Sequence, residues 1–317
     1  MLLYVVEVAY GDRPFEVTSS ENPRDIQLRT TFELWHKENA LNLAAQRFPA
    51  DAKYIGYLDG DVTMSRYDWA LEAIHLLQHY DAVQLFSQFT DMDSQHRPVG
   101  VTNGFAYEYA KSITPGIYRD PHTVSAAEKA AFAKNAAANC NYGSHLAGMP
   151  PNSSDEIKKR VWWGATGLGW AYKKSAWQQL GGLLDICILG SADWHMAYGM
   201  AGLPSGQHQD FRGSDAYGHA IKTWQEHAAS INKNIWYLDN HITHYFHGPK
   251  ANRYYRDRTK ILIENGFDPY RDLKRDHQGL WQLAPGKPKL RDDIRAYFRA
   301  RNEDDPNLGP GDKLISS

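Results

Sequence analysis

Apolar and β-branched residues crowd positions 3 to 9 and stop at Gly11 and Pro14, which predicts a buried first strand. From 31 to 48 the spacing changes to a helical one. Leu34, Leu41, Ala44 and Phe48 share one stripe, and Lys37 lies on that stripe near the helix start. Residues 53 to 58 predict a second strand that runs straight into Asp59-Gly60-Asp61, with a helix expected next. Ser65 and Asp68 resemble a capping box for a helix that carries Trp69, Ala73, Ile74 and Leu77. Ala82 to Phe86 closes a strand-helix-strand-helix-strand series, the pattern of a parallel sheet with crossover helices.

Between about 88 and 160 glycine, proline, asparagine and serine break the pattern around an alanine-rich helix (about 125 to 138), which reads as an insertion over the working edge of the sheet. Regular structure resumes over Val161 to Tyr172, and the helix that follows should end at Gly181-Gly182 in a left-handed cap. Ser191 can cap a helix starting near Asp193. Residues 234 to 246 predict one more strand. The remainder reads as a charged C-terminal arm with a disordered Gly/Pro-rich tail.

The chain of 317 residues, 42% of them hydrophobic, can bury a large core. Its formal charge of −2 excludes a strong whole-molecule attraction to nucleic acid or an anionic membrane, so such a partner would need a local basic patch. Cys140 and Cys187 lack any paired spacing, which argues against a disulfide framework or a cysteine zinc site. The N-terminus lacks a basic leader, and no stretch reaches the roughly 18 apolar residues of a spanning helix. A cytoplasmic protein with no membrane contact and no obligate protein partner is the expectation.

Two carboxylates at i and i+2 at a strand end, Asp59 and Asp61, supply hard oxygen ligands for a divalent cation on a diphosphate. An Asp-Gly hairpin turn is the competing interpretation. Asp193 sits where a helix should begin, suited to take a proton from an attacking hydroxyl, or simply to complement the helix dipole. Beside it, Trp194 could face a sugar or fill a core. In the run His241, His244, His247, strand alternation separates His244 from the other two unless the strand bends, so a three-histidine zinc site is disfavoured. His247, ahead of Gly248-Pro249, could reach a metal held by Asp61, while His244 reads as a satisfied core residue. From 248 to 275 Lys250, Arg253, Arg256, Arg258, Lys260, Arg271, Lys274 and Arg275 outnumber the local acids, suiting phosphate oxygens or a solvated helix face.

The run Trp35 to Asn42, the strand with Asp59-Gly60-Asp61, Gly167 to Tyr172 with Gly181-Gly182-Leu183, then Asp193 and His247-Gly248 together resemble GT-A glycosyltransferases of the family 2 and family 7 types, over roughly residues 1 to 260. The resemblance implies a Rossmann-like α/β fold, with a mainly parallel sheet flanked by helices, the 88–160 insertion, and a C-terminal arm and tail over 261–317. It implies a sugar moved from a nucleotide-sugar donor, a UDP-sugar by class, to an acceptor hydroxyl with inversion. Asp59, Asp61 and His247 would bind Mn²⁺ or Mg²⁺. Lys37, Asn42, Asp59, Gly169, Trp170, Lys250 and Arg253 would meet the donor, Trp194 and His195 the acceptor, and Asp193 would be the base. The family's commoner acidic pair is here Ala192-Asp193, so Asp193 would act alone. Relatives of this pattern occur in bacterial and phage genomes, which extends the expectation to a DNA acceptor of the 5-hydroxymethylcytosine type, in host cytoplasm if phage-encoded. A sugar nucleotidyltransferase and a non-catalytic binding module are the rival classes.

Overall fold

The computed structural model describes residues 1–113, 164–202, 214–254 and 258–301. Its first elements are β1 (Val5–Tyr10), β2 (Asp25–Thr30), α1 (Lys37–Ala45), β3 (Tyr54–Leu58), β4 (Val62–Met64), α2 (Trp69–Leu76) and β5 (Ala82–Gln84). Next come β6 (Gln88–Met92), β7 (Pro98–Asn103), α3 (Phe105–Ile113), β8 (Gly169–Lys173), α4 (Lys174–Leu180), α5 (Ala192–Met200) and α6 (Asp215–Ala228). The series ends with β9 (Ile235–Tyr237), β10 (His241–His244), α7 (Arg258–Glu264), α8 (Pro269–Asp272), β11 (Leu273–Arg275), β12 (Trp281–Leu283) and α9 (Pro288–Arg301). The protein is α/β with mixed sheets. None of the described helices is long and apolar enough to cross a membrane.

The chain forms two units. The first comprises Met1–Tyr57, Tyr172–Asn234 and Tyr255–Arg299. Here β1 and β2 pair in parallel from Val5↔Asp25 to Tyr10↔Thr30. Alternation along β2 turns Ile26, Leu28 and Thr30 inward, and Ile26 and Leu28 join Ala40, Ala44 and Leu280 in one cluster with Val6 and Val8. Glycine is required at the end of α4: Gly181 has φ +74°, and the chain there returns hydrogen bonds to Gln178 O and Trp177 O, the expected left-handed cap.

The second unit comprises Leu58–Ala171, Ile235–Tyr254 and the chain from Ala300 on. It contains a four-stranded sheet in the order β4-β10-β6-β7. Phe86, Phe89 and Ile242 are 3% exposed or less and pack with Val62, Met64 and Leu168 beneath this sheet. Burial of each such side chain stabilises by about 1.5–3 kcal/mol. Within the same unit β5 pairs in parallel with β9, from Ala82↔Ile235 to Gln84↔Tyr237.

Several expectations change. A mainly parallel sheet is not what forms. The β1–β2, β5–β9 and β6–β10 pairs are parallel, but β4–β10, β6–β7 and β11–β12 are antiparallel. Bonds from Asp59 N–H to Leu168 O and from Lys174 N–H to Lys53 O set β3 and β8 antiparallel as well. The helix expected over 31–48 spans only Lys37–Ala45, and β2 precedes it. Ser65 caps nothing; its hydroxyl donates to Asn240 Oδ1, and α2 starts after Asp68 without a side-chain cap. Ser191 likewise makes no side-chain cap for α5. Residues 88–113 are not a loose insertion, because β6 pairs with β10 and β7 with β6. The strand expected over 234–246 is two, β9 and β10 in different sheets, with buried Asn240 bonding Leu85 O at the corner between them. The alanine-rich helix and the tail beyond 301 lie outside the described residues.

Candidate metal centre

Strand β3 delivers Asp59-Gly60-Asp61 to its end, and the Asp59 N–H bond to Leu168 O anchors the turn. A paired strand follows rather than the expected helix. That strand, β4, pairs with β10 and not back on β3, so the Asp-Gly step is not a hairpin turn. Among the described residues a Cβ on Gly60 would meet nothing within 4 Å.

The β4–β10 ladder pairs His244 with Val62, and Tyr245 N–H then donates to Asp61 O at 2.8 Å. Strand β10 stops at His244, and Gly248, at φ +92°, turns the chain just after His247. The strand therefore does end where alternation would have separated the two rings. Asp61 Oδ2 is 3.1 Å from His247 Nε2 and 3.5 Å from His244 Nε2, and the two Nε2 atoms are 3.2 Å apart. Ligand atoms about 2.1 Å from one cation stand roughly 3.0–3.4 Å from one another in octahedral or tetrahedral sites. The three atoms fit, and this group could hold a metal ion. Asp61 Oδ1 is buried with no hydrogen-bond partner among the described residues, a costly arrangement that a cation would relieve.

His241 belongs elsewhere: its Nε2 lies 2.7 Å from Thr90 Oγ1, and burial pushes its pKa down. Parallel pairing sets His244 opposite Asp91 on β6, with His244 Nδ1 to Asp91 Oδ1 at 2.7 Å. Burial works to lower the His244 pKa, but its hydrogen bonds to Asp61 and Asp91 outweigh that and raise it. Burial works to raise the Asp61 carboxyl, yet the His244 hydrogen bond and the His247 charge hold it below its ordinary value. Arg253 Nη2 reaches His247 Nε2 at 2.6 Å, adding a guanidinium to the edge of the group.

Asp61 and His247 thus come together as expected, joined by His244 and Asp91. Sequence reasoning set His244 aside as a satisfied core residue. It is buried and bonded to Asp91, but its second nitrogen faces Asp61. Asp91 carried no local signal. Asp59 lies two residues from Asp61, outside the converging trio. Trp170, 1% exposed with Nε1 donating to Thr166 O, is a core residue whose indole is shut off from a donor. Gly169 is buried on β8 and contributes its carbonyl to Leu85 N–H. Lys250 opens a short 3-10 helix that ends at Arg253.

The remaining candidates belong to the first unit. Lys37 starts α1 with its ammonium 5.9 Å from the Tyr57 ring centroid. Asn42 grips the backbone of Leu183, accepting from its N–H and donating to its C=O. Asp193 is half-buried in the first turn of α5, and Trp194 stacks on Tyr198. His195 is fully buried, so its ring cannot touch an acceptor. In the basic segment, Arg258 donates to Ser191 Oγ, and Arg275 bonds Asp185 and lies 3.9 Å over Trp281. Arg256 is outside the described residues. A cleft of about 470 Å³ opens past the end of β2, walled in part by Arg29, Phe32, Lys274 and His277.

Comparison with protein-family models, with curated proteins and with solved structures yields no match for this chain.

Proposed function

We propose that the chain is a metal-dependent glycosyltransferase of the GT-A type that moves a sugar from a nucleotide-sugar, a UDP-sugar by class, to an acceptor hydroxyl. The observation that carries this reading is the convergence of Asp61, His244 and His247 at the end of the strand that bears Asp59. Mn²⁺ or Mg²⁺, held by these three, would offset charge on a diphosphate leaving group. Asp59 is assigned to the metal or the donor ribose. Arg253, at the edge of the trio, has the planar donor fork that suits diphosphate oxygens. The basic cleft of the first unit suits a phosphate-bearing ligand as well. Asp193 keeps the role of base for the acceptor hydroxyl, and attack assisted by a base implies inversion. The acceptor we carry forward is a hydroxyl, with 5-hydroxymethylcytosine-type DNA as its narrowest form.

The test is melting of the protein with a panel of nucleotide sugars, with and without Mn²⁺, followed by product analysis on glycans and hydroxymethylated duplexes. A donor that binds the folded state at 100 times its Kd adds about 2.7 kcal/mol of stability. Release of a nucleoside diphosphate is expected, and chelation should abolish it. Pyrophosphate release would assign the chain to the nucleotidyltransferases. A protein that no nucleotide sugar stabilises, with or without metal, would end the reading.

A further inference from the structure

We infer that the centre is a two-imidazole, one-carboxylate site, in which Asp91 is a positioning residue for His244. The inference rests on the metal centre of the reading above, not on its sugar chemistry.

The argument starts from the two nitrogens of His244. Nδ1 lies 2.7 Å from Asp91 Oδ1, and the carboxylate can only accept, so the proton of the neutral ring sits on Nδ1. That leaves the lone pair on Nε2, the atom facing Asp61 Oδ2 and His247 Nε2. A carboxylate behind a metal-bound imidazole fixes its tautomer and orientation in this way. The support is rigid. His244 and Asp91 are direct partners in the β10–β6 ladder, and both are buried. Phe89, on β6 as well, packs edge-on against the His244 ring, with centroids 5.8 Å apart and planes at 85°.

His247 Nε2 stands 3.2 Å from His244 Nε2 and 2.6 Å from Arg253 Nη2, so a metal bound there takes over the lone pair to which the guanidinium donates. Three protein ligands also leave positions open for substrate oxygens.

The experiment uses the full chain, stripped of metal by chelation and titrated with Mn²⁺ as the probe in the absence of any donor. Pulsed electron paramagnetic resonance of the Mn²⁺ form reads ¹⁴N couplings directly. The expected result is two imidazole couplings in the wild type and one in His244→Gln. Asp91→Asn should weaken Mn²⁺ by about 10- to 100-fold, and Asp91→Glu should recover part of the loss. Circular dichroism and melting of the metal-free variants show whether each still folds, and a variant that does not is replaced by His244→Gln for the affinity comparison. Oxygen-only ligation in the wild type, or an Asp91→Asn protein with wild-type Mn²⁺ affinity and couplings, would each overturn the inference. Nitrogen-ligated Mn²⁺ with no response to any nucleotide sugar would leave it standing and overturn the glycosyltransferase reading. Mn²⁺-dependent donor binding with oxygen-only ligation would do the reverse.

Discussion

Replacing Asn42 tests whether the run that opens the glycosyltransferase resemblance has a structural task. On α1, Asn42 Oδ1 accepts from Leu183 N–H at 2.8 Å, and Nδ2 donates to Leu183 O at 2.9 Å and to Asp185 Oδ2 at 3.3 Å. One turn earlier, Asn39 accepts from Trp281 N–H and donates to Gly279 O. The helix thus clamps two loops with two amides. Asn42→Ala strands both backbone groups of Leu183, which is 3% exposed. Each buried group left unpaired costs about 1–3 kcal/mol. Asn42 is itself half-buried, so water can recover part of this, and about 2–4 kcal/mol is the expected total. For a chain of this size that lowers the melting temperature by roughly 3–6 °C. Asn42→Asp keeps the acceptor for Leu183 N–H but loses the donor and sets a carboxylate beside Asp185. It should be at least as harmful as Asn42→Ala. Calorimetry alongside donor titration is the assay. Unchanged melting with donor affinity abolished would refute the clamp and make Asn42 a donor ligand.

Glu7 collects bonds from Glu16 N–H, Val17 N–H, Thr18 N–H and the Thr18 hydroxyl; led by the Thr18 hydroxyl bond, these hold its carboxyl at about 2 against an ordinary 4.5. A depressed pKa contributes stability that is complete above the unfolded value and lost as pH falls through the folded one. The loss should therefore run from about pH 4.5 down to about 2, and a pH series of melts on Glu7→Gln should show a lower neutral plateau without that acid limb. Trp170→Phe removes the donor to Thr166 O and should cost about 1–3 kcal/mol in urea unfolding, with donor affinity unchanged; a selective loss of affinity would put Trp170 back at the donor. Asp193→Asn should lower turnover by about 10²- to 10⁴-fold while donor Kd stays constant, and an equal loss of donor binding would make Asp193 a binding residue instead.

What could be told from the residues alone was local. The apolar run of β1, the strand ending in Asp59-Gly60-Asp61 and the glycine cap after Leu180 are set by the period of neighbouring side chains and by the φ a turn demands, and all are where that chemistry places them. β2 was legible too, since Ile26, Leu28 and Thr30 alternate with polar residues, but its charged Asp25 and Arg29 masked the run. The metal centre was half legible. Asp61 and His247 announce themselves by residue type and by position at a strand end and before a glycine. Whether His244 joins them depends on where β10 stops. That Asp91 stands behind it depends on the register of two strands whose residues are 153 apart in the chain. Trp170 was expected at the donor and His195 at the acceptor, but both are buried. Burial and strand register are sums over contacts distant in sequence. No local window contains them, and only the folded chain decides which side chains meet.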